Sequence, residues 1–465
     1  MFSRAELFAV LMAGGFLFLA GCVTTHMAPL VEDHTIGLIS RPITGPAELA
    51  WRVKTVSGET LDRMEIQLID MPRLEAQPIP PVASQRPRMD PEVMRKWLTA
   101  EAGQSVKGSL SLLINGNAYF SRLDEVLRQA TNRIDVQTYI FDNDDVAQAV
   151  ADVLRAQSQR IPVRVLLDGI GSRTAWDVQA SSAATVSPPD IPNMISYLKR
   201  DSRVKVRRGY NLWFSTDHSK LIVVDESTAF FGGMNIGREY RYDWRDLMVE
   251  IEGPLVDEFQ HLFDRAWNRA KTFSDLWILF DKHRRKKIHP EGIGVECYLL
   301  LTTPFTKDIF NAHLRAARSA QHHVYVENPY VWNTKFIYAL CEARKRGVDV
   351  RVTVPMRGNI DIGNGATRMA VNTLLSHGVR VFLYPGMTHL KAAIYDGWAS
   401  FGTANFDDLS LHKNIEINLF TETPEFVKDF ENCILLDGQD RSLEVDRILP
   451  TTFWDEVDKG MADFM

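Results

Sequence analysis

Cysteine is scarce. Only Cys22, Cys297, Cys341 and Cys433 occur in 465 residues, and no two of them form a CxxC pair. That excludes a disulfide-built scaffold and argues against a cysteine zinc site. Positive charge is not in excess either. The 53 Lys and Arg face 59 Asp and Glu, for a net charge of −6. A polybasic nucleic-acid coat is therefore not expected, although a local basic groove stays open. What remains is an ordinary globular composition, 24% charged and 45% hydrophobic, and a length that predicts two or three domains.

The N-terminus reads as an address. Arg4 is followed by an apolar run at 7–20, which is 14 residues long. A bilayer span needs about 20, so the run has the length of a secretory signal core and not of a membrane helix. It ends Leu19-Ala20-Gly21-Cys22, which resembles a bacterial lipobox. That resemblance implies a signal peptide at 1–21 and lipidation of Cys22. It also implies a membrane anchor in the bacterial cell envelope. No Asp follows Cys22, so by analogy with lipoprotein sorting the expected address is the periplasmic face of the outer membrane. Residues 22–105 then read as an arm. Pro72, Pro78, Pro80, Pro81, Pro87 and Pro91 crowd together there. Prolines at that density break helices and exclude central strands, so a semi-rigid extended tether is expected.

From about Ser109 the pattern changes. Leu123, Val126, Leu127 and Ala130 fall at helical spacing, Ile134 to Ile140 reads as a strand, Ala147 to Arg155 as a helix and Val163 to Leu167 as a strand. Strand, helix and strand at this spacing argue for a βαβ unit. The same order returns at Val324 to Val326, Phe336 to Arg344 and Val348 to Val354. Pro162-Val163-Arg164-Val165 is echoed by Asp349-Val350-Arg351-Val352. This is a duplication of a long unit, and it predicts two similar α/β lobes at 106–290 and 291–465. The join is expected near 281–291. A basic run at 282–287 and the apolar tetrad Trp277 to Phe280 beside it read as solvated charge and core, with an interfacial role as the less common alternative.

Each copy also carries one shared motif. The first is His218-Ser219-Lys220, then Asp225, then Gly232-Gly233-Met234-Asn235. The second is His389-Leu390-Lys391, then Asp396, then Gly402-Thr403-Ala404-Asn405. Both read H-x-K-x4-D followed by G-[GT]-x-N. The candidate catalytic set is His218, Lys220, Asp225, His389, Lys391 and Asp396, with Asn235 and Asn405 as phosphate ligands. In a strand, His218 and Lys220 share a face. Asp225 lies at an odd offset, which makes it a structural acceptor at a strand end more than a partner for the histidine. The glycines let backbone approach a phosphate closely. A neutral imidazole can attack phosphorus while a second protonates the leaving alkoxide. Two lysines stabilise the charge, so no metal and no other cofactor are expected.

This arrangement resembles the phospholipase D superfamily from about residue 110 to 440, and within it the bacterial cardiolipin synthases. The supporting stretches are Asp135 to Phe141, Gly232 to Gly237, Trp244-Arg245-Asp246, Ile251 to Pro254 and Asn405-Phe406-Asp407. The resemblance implies two phospholipase D-like α/β lobes about a pseudo-twofold axis, with the active site at their interface. It also implies a covalent phosphohistidine. One departure stands out. Five residues separate Asp396 from Gly402 where six separate Asp225 from Gly232, which makes Asn405 the less secure ligand. The family further implies that an acid of one lobe orients the histidine of the other. Asp246 lies 28 residues after His218 and Glu416 lies 27 after His389. The expected pairs are His218 with Glu416 and His389 with Asp246. Without the resemblance, both acids are also consistent with solvent-facing strand residues.

The resemblance implies a phosphatidyltransferase acting on phospholipids such as phosphatidylglycerol. Hydrolysis by the same machine is the first alternative and a nuclease of the superfamily the second. The net charge argues against nucleic acid as a partner. A catalytically dead scaffold would lack a His or Lys, and none is missing.

Overall fold

In the computed structural model, residues 71–83, 85–169, 171–172, 193–209, 216–270 and 293–462 are described. The lipobox at Cys22, the expected join at 281–291, the basic run and the tetrad Trp277 to Phe280 lie outside them. The first copy of the duplicated unit supplies β1 (Val106–Ile114), β2 (Ile134–Thr138), β3 (Val163–Asp168), β4 (Lys205–Gly209), β5 (Leu221–Val224), β6 (Thr228–Gly232) and β7 (Leu247–Glu252). The second supplies β8 (Val295–Thr303), the short β9 (Thr306–Lys307), β10 (His323–Glu327), β11 (Asp349–Pro355), β12 (Arg380–Tyr384), β13 (Ala392–Tyr395), β14 (Trp398–Gly402), β15 (Glu416–Thr421) and β16 (Leu443–Val445).

Outward from the middle, the first lobe reads β1-β7-β6-β5-β2-β3-β4 and the second β8-β15-β14-β13-β10-β11-β12, with β16 added at its edge. The two orders correspond strand for strand. β1 pairs antiparallel with β8 through Val106–Cys297, so the lobes share one continuous sheet. The βαβ units inferred from apolar spacing are present. β2 pairs parallel with β3 across the Asp145–Gln157 helix, and β10 with β11 across the Thr334–Lys345 helix. Both helices start on a side-chain cap: Asp144 accepts from Ala147 N and Asn333 from Phe336 N.

Both sheet faces are covered, which is why the strands read as near-continuous apolar runs. Within β5, Ile222 and Val224 pack under the helices of the first lobe. Leu221 and Val223 turn to the other face. There they join Phe259 and Phe263 of the Leu255–Arg269 helix, and Leu299, Leu419 and Phe430 of the second lobe. This second cluster spans both lobes and fixes their relative placement.

The arm departs from the expected tether. Its described part carries two helices, Met71–Glu75 and Pro91–Ala102, whose Leu74, Met94, Leu98 and Ala102 are buried in the core of the second lobe. Pro91 opens the longer helix, where a missing N–H costs nothing, and Asp90 caps it. The stretch between the helices lies on the second lobe through Ala83 N to Gly347 O and Arg344 to Pro80 O.

Candidate active site

Each motif histidine sits in an extended segment just before a central strand, β5 or β13, and each segment is pinned by the opposite lobe. His218 N donates to Ile415 O at 3.0 Å, and His389 N donates to Arg245 O at 2.7 Å. Asp217 bridges Ile415 and Arg245 bridges Thr388, both in parallel register. The residue after each bridge partner is an acid, Glu416 or Asp246, so the crossing strands deliver one carboxylate to each imidazole. His218 Nδ1 lies 2.9 Å from Glu416, and His389 Nδ1 lies 2.7 Å from Asp246. Both acids are essentially unexposed, which removes the solvent-facing alternative. The pairing across lobes is the one expected.

The lysines are buried beside them. Lys220 donates to His218 O at 2.7 Å and Lys391 to His389 O at 2.6 Å, each back onto its own motif. Burial pushes Lys220 down to about 7 and Lys391 to about 8, against the pull of Asp246 and Glu416. Burial likewise lifts Asp246 and Glu416 to about 7, with the lysines opposing it. Both imidazoles are held well below their ordinary value, first by burial and then by the two ammonium groups. With Nδ1 committed to a carboxylate, a neutral ring carries its lone pair on Nε2, the form that attacks phosphorus. Two ammonium groups and two carboxylates leave the site formally neutral before an anionic phosphodiester enters.

Asp225 and Asp396 correct the catalytic set. Both end their strand in a left-handed conformation, φ 55° in each case. Asp225 accepts from the backbone N–H of Thr131, Asn132 and Arg133. Asp396 accepts from those of Met89, Gln321, His322 and His323. Each carboxylate therefore gathers the loop that feeds β2 or β10 and stands outside the His–Lys cluster, as the strand-parity argument anticipated.

The glycines also serve a purpose other than the expected one. A Cβ on Gly233 would stand 2.2 Å from Asp246 Oδ1, and one on Gly232 would stand 2.3 Å from Leu247 O. They admit β7 and its acid. In the second motif Thr403 takes the place of Gly233 and donates its hydroxyl to Glu416. The asparagines differ as well. Asn235 donates to Tyr240 Oη at 2.8 Å and accepts from Ile140 N at 3.1 Å. Asn405 Oδ1 is buried without a hydrogen-bond partner. The shorter second motif loses its residue in the β13–β14 turn, at the far end of the strand, so Gly402 keeps the register that Gly232 has.

Several contact residues carry no motif. Tyr139 meets the His218 ring edge-on at 4.8 Å. Trp244 and Tyr240 meet the His389 ring at 5.1 and 5.7 Å. Asp407, buried and lifted by that burial to about 7, lies close enough to act on Lys391 and Glu416. Tyr139, Trp244 and Asp407 fall inside the quoted family stretches, which was the one signal available for them. Among the described residues one carboxylate group has metal-like spacing: Asp142, Asp144 and Glu239, with ligand atoms within 4.8 Å of one another. Asp144 there caps a helix, and burial lifts Asp142 to about 7 and Glu239 to about 8.

Comparison with known proteins agrees with this geometry. A family model described as cardiolipin synthase, PLD-like domain, matches residues 123–267 and 314–435, one segment in each lobe. Over 348 residues the chain is 32% identical to cardiolipin synthase A of Pseudomonas fluorescens (strain SBW25), covering 70% of this chain and 67% of that one. It is 31% identical to cardiolipin synthase A of Pseudomonas putida (strain W619), over 70% and 68% of the two chains. Among solved structures, the phosphatidylserine synthase of Haemophilus influenzae Rd KW20 shares the fold, with a TM-score of 0.61 at 13% identity. That match covers 80% of this chain and 97% of the other.

Proposed function

The chain belongs to the cardiolipin synthase, PLD-like family, and from that premise we propose that it joins phospholipids by phosphatidyl transfer through a phosphohistidine. The observation that carries this reading is the pair of His–carboxylate contacts exchanged between the lobes around two buried lysines. His218 Nε2 attacks phosphorus of a phospholipid such as phosphatidylglycerol. The bond from phosphorus to the headgroup alcohol breaks, and His389 gives that alcohol its proton. The entering phosphodiester anion raises the depressed affinity of His389 for that proton. Glu416 stabilises the charged His218 and Asp246 the charged His389. Lys220 and Lys391 stabilise the charge that builds on the non-bridging oxygens. A glycerol hydroxyl of a second lipid then loses its proton to His389 and attacks phosphorus. The P–N bond breaks, and His218 is free again. Water in place of that hydroxyl would make the enzyme a hydrolytic phospholipase D.

The experiment is mass spectrometry of products from purified protein and phosphatidylglycerol vesicles, with and without phosphatidylethanolamine. Cardiolipin and glycerol in equal amounts support transfer. Phosphatidic acid as the main product makes the enzyme a hydrolase.

The lipobox reading supports attachment through Cys22 to the periplasmic face of the outer membrane. Among the described residues no helix is long and apolar enough to cross a membrane. Cys22→Ala would leave an uncleaved or mislocalised protein. A variant that is matured and membrane-held as before would overturn the anchor.

A further inference from the structure

The two halves of the site are pinned alike in backbone and differently in side chain. Where Ile415 bridges the His218 segment, the corresponding residue beside His389 is Arg245. Ile415 carries no charge. Arg245 is 3% exposed and reaches from the first lobe into the second. Its Nε lies 3.1 Å from Glu327 Oε1 at the end of β10, one Nη lies 2.9 Å from Asp437, and the other donates to Ile434 O at 2.7 Å. Thr388, the residue before His389, donates its hydroxyl to the same Glu327 oxygen. Arg245 N also donates to Met387 O, and Arg245 O accepts from His389 N. One residue therefore holds both ends of the segment that carries His389, and the next residue along the chain is Asp246.

We propose that Arg245 is a positioning residue for the His389–Asp246 pair: its fork fixes the approach of Asp246 to the imidazole, and its charge cancels that of Glu327. The inference rests on the phosphoryl-transfer reading of the site. Glu327 has no exposure, and its Oε2 has no hydrogen-bond partner. A Cβ on Gly438 would come within 2.3 Å of that oxygen, so no side chain at 438 could offer one. Among the described residues Arg245 Nε and Thr388 Oγ1 alone meet the carboxylate at Oε1. The charged and titratable groups acting on Asp246 include His389, Lys391, Lys220, Glu327 and Tyr240. Lys391 and Lys220 favour the ionised carboxylate, and Glu327 opposes it. Without the guanidinium, buried Glu327 would lose the counter-charge that keeps it ionised and would compete with Asp246 for a proton, so that the pair holds one to higher pH. Asp246 could then no longer stabilise His389 as an imidazolium, and turnover would fail on the acid side.

The test is the pH profile of kcat and KM for wild type, Arg245→Met, Glu327→Gln and the double variant. Substrates are phosphatidylglycerol micelles and, separately, the soluble diester bis(4-nitrophenyl) phosphate. Arg245→Met is expected to move the acid limb of kcat upward by roughly one pH unit. At pH 7 kcat should fall about tenfold with KM changed less than about twofold. Adding Glu327→Gln removes the uncompensated charge and should return the limb toward its wild-type position. Glu327→Gln alone removes the group that opposes ionisation of Asp246, while Asp437 still pairs Arg245, and should move the limb down. That arm stands even if Arg245→Met does not fold. Limbs that stay at the wild-type position in all variants, with losses that only track thermal stability, would overturn the proposal and leave Arg245 a structural latch. Wild-type turnover of the soluble diester without any turnover of phospholipid would sink the lipid reading while still measuring the role of Arg245.

Discussion

Replacing Asp396 by Asn separates architecture from chemistry within the motif itself. The carboxylate accepts four backbone N–H groups: Met89 at 2.6 Å, Gln321 and His322 at 3.0 Å, and His323 at 2.8 Å. Each oxygen takes two of them. Asn keeps one oxygen and turns an NH2 toward the other two donors. Hydrogen bonds to a charged acceptor contribute about 1.5–3 kcal/mol each, so losing two costs about 3–6 kcal/mol at this unexposed site. The left-handed backbone adds nothing to that cost, because Asn adopts φ 55° as readily as Asp. Against a total stability of about 5–15 kcal/mol this is a large fraction. Asp225→Asn breaks the equivalent set at a more exposed position and should cost less. The assay is thermal unfolding by circular dichroism beside single-turnover rate per folded enzyme. The expected result is an apparent Tm lowered by about 5–10 °C with the rate per folded molecule kept within about twofold. An Asp396→Asn protein of unchanged Tm and collapsed rate would refute the assignment of Asp396 to the fold.

The reverse outcome is expected for the acids that meet the histidines. Asp246→Asn and Glu416→Gln should keep Tm and lose about 10²–10³ in single-turnover rate, since an amide stabilises an imidazolium poorly. Gly233→Ala should fold with a displaced Asp246, given the 2.2 Å approach of its Cβ, and lose about tenfold or more in kcat. The pH profile of kcat/KM should be bell-shaped. Asp246 and Glu416, near 7, must be ionised, so activity rises as pH rises through their range. Lys220 and Lys391, at about 7 and 8, must be protonated, so activity falls as pH rises through theirs, and a flat profile from 6 to 9 would contradict the site. On the proposed route two lysine ammonium groups balance the charge of the phosphate, so EDTA should leave activity unchanged. Loss restored by a divalent ion would argue against the phosphohistidine route.

How much of this was legible before the fold was known follows the physics of each residue. The duplicated H-x-K and its matching tails are local in sequence, and strand alternation already marked Asp225 as a structural acceptor, although the motif's spelling kept it in the candidate catalytic set. The acids Asp246 and Glu416 became legible only through the family, because the contact that defines each one joins residues 143 and 198 positions apart. Tyr240 has no spacing signal, and Tyr139, Trp244 and Thr403 stood in quoted stretches with no role assigned, since their contacts depend on where the two lobes meet. The arm was misread because proline density was taken as a break throughout. Met94, Leu98 and Ala102 recur every fourth residue behind Pro91, and that spacing marks a buried helix face. The glycines of the motif were read as room for a ligand, when the space they leave is filled by the neighbouring strand and its carboxylate.

The most direct test of the central claim is to look for the covalent intermediate. Enzyme mixed with phosphatidylglycerol is quenched in alkali within a fraction of a turnover, digested, and its peptides are weighed. A phosphatidyl adduct on His218 is predicted, absent in His218→Ala and formed slowly in His389→Ala, which lacks the proton donor. Steady turnover by wild-type enzyme with no adduct on either histidine at any quench time would contradict the account.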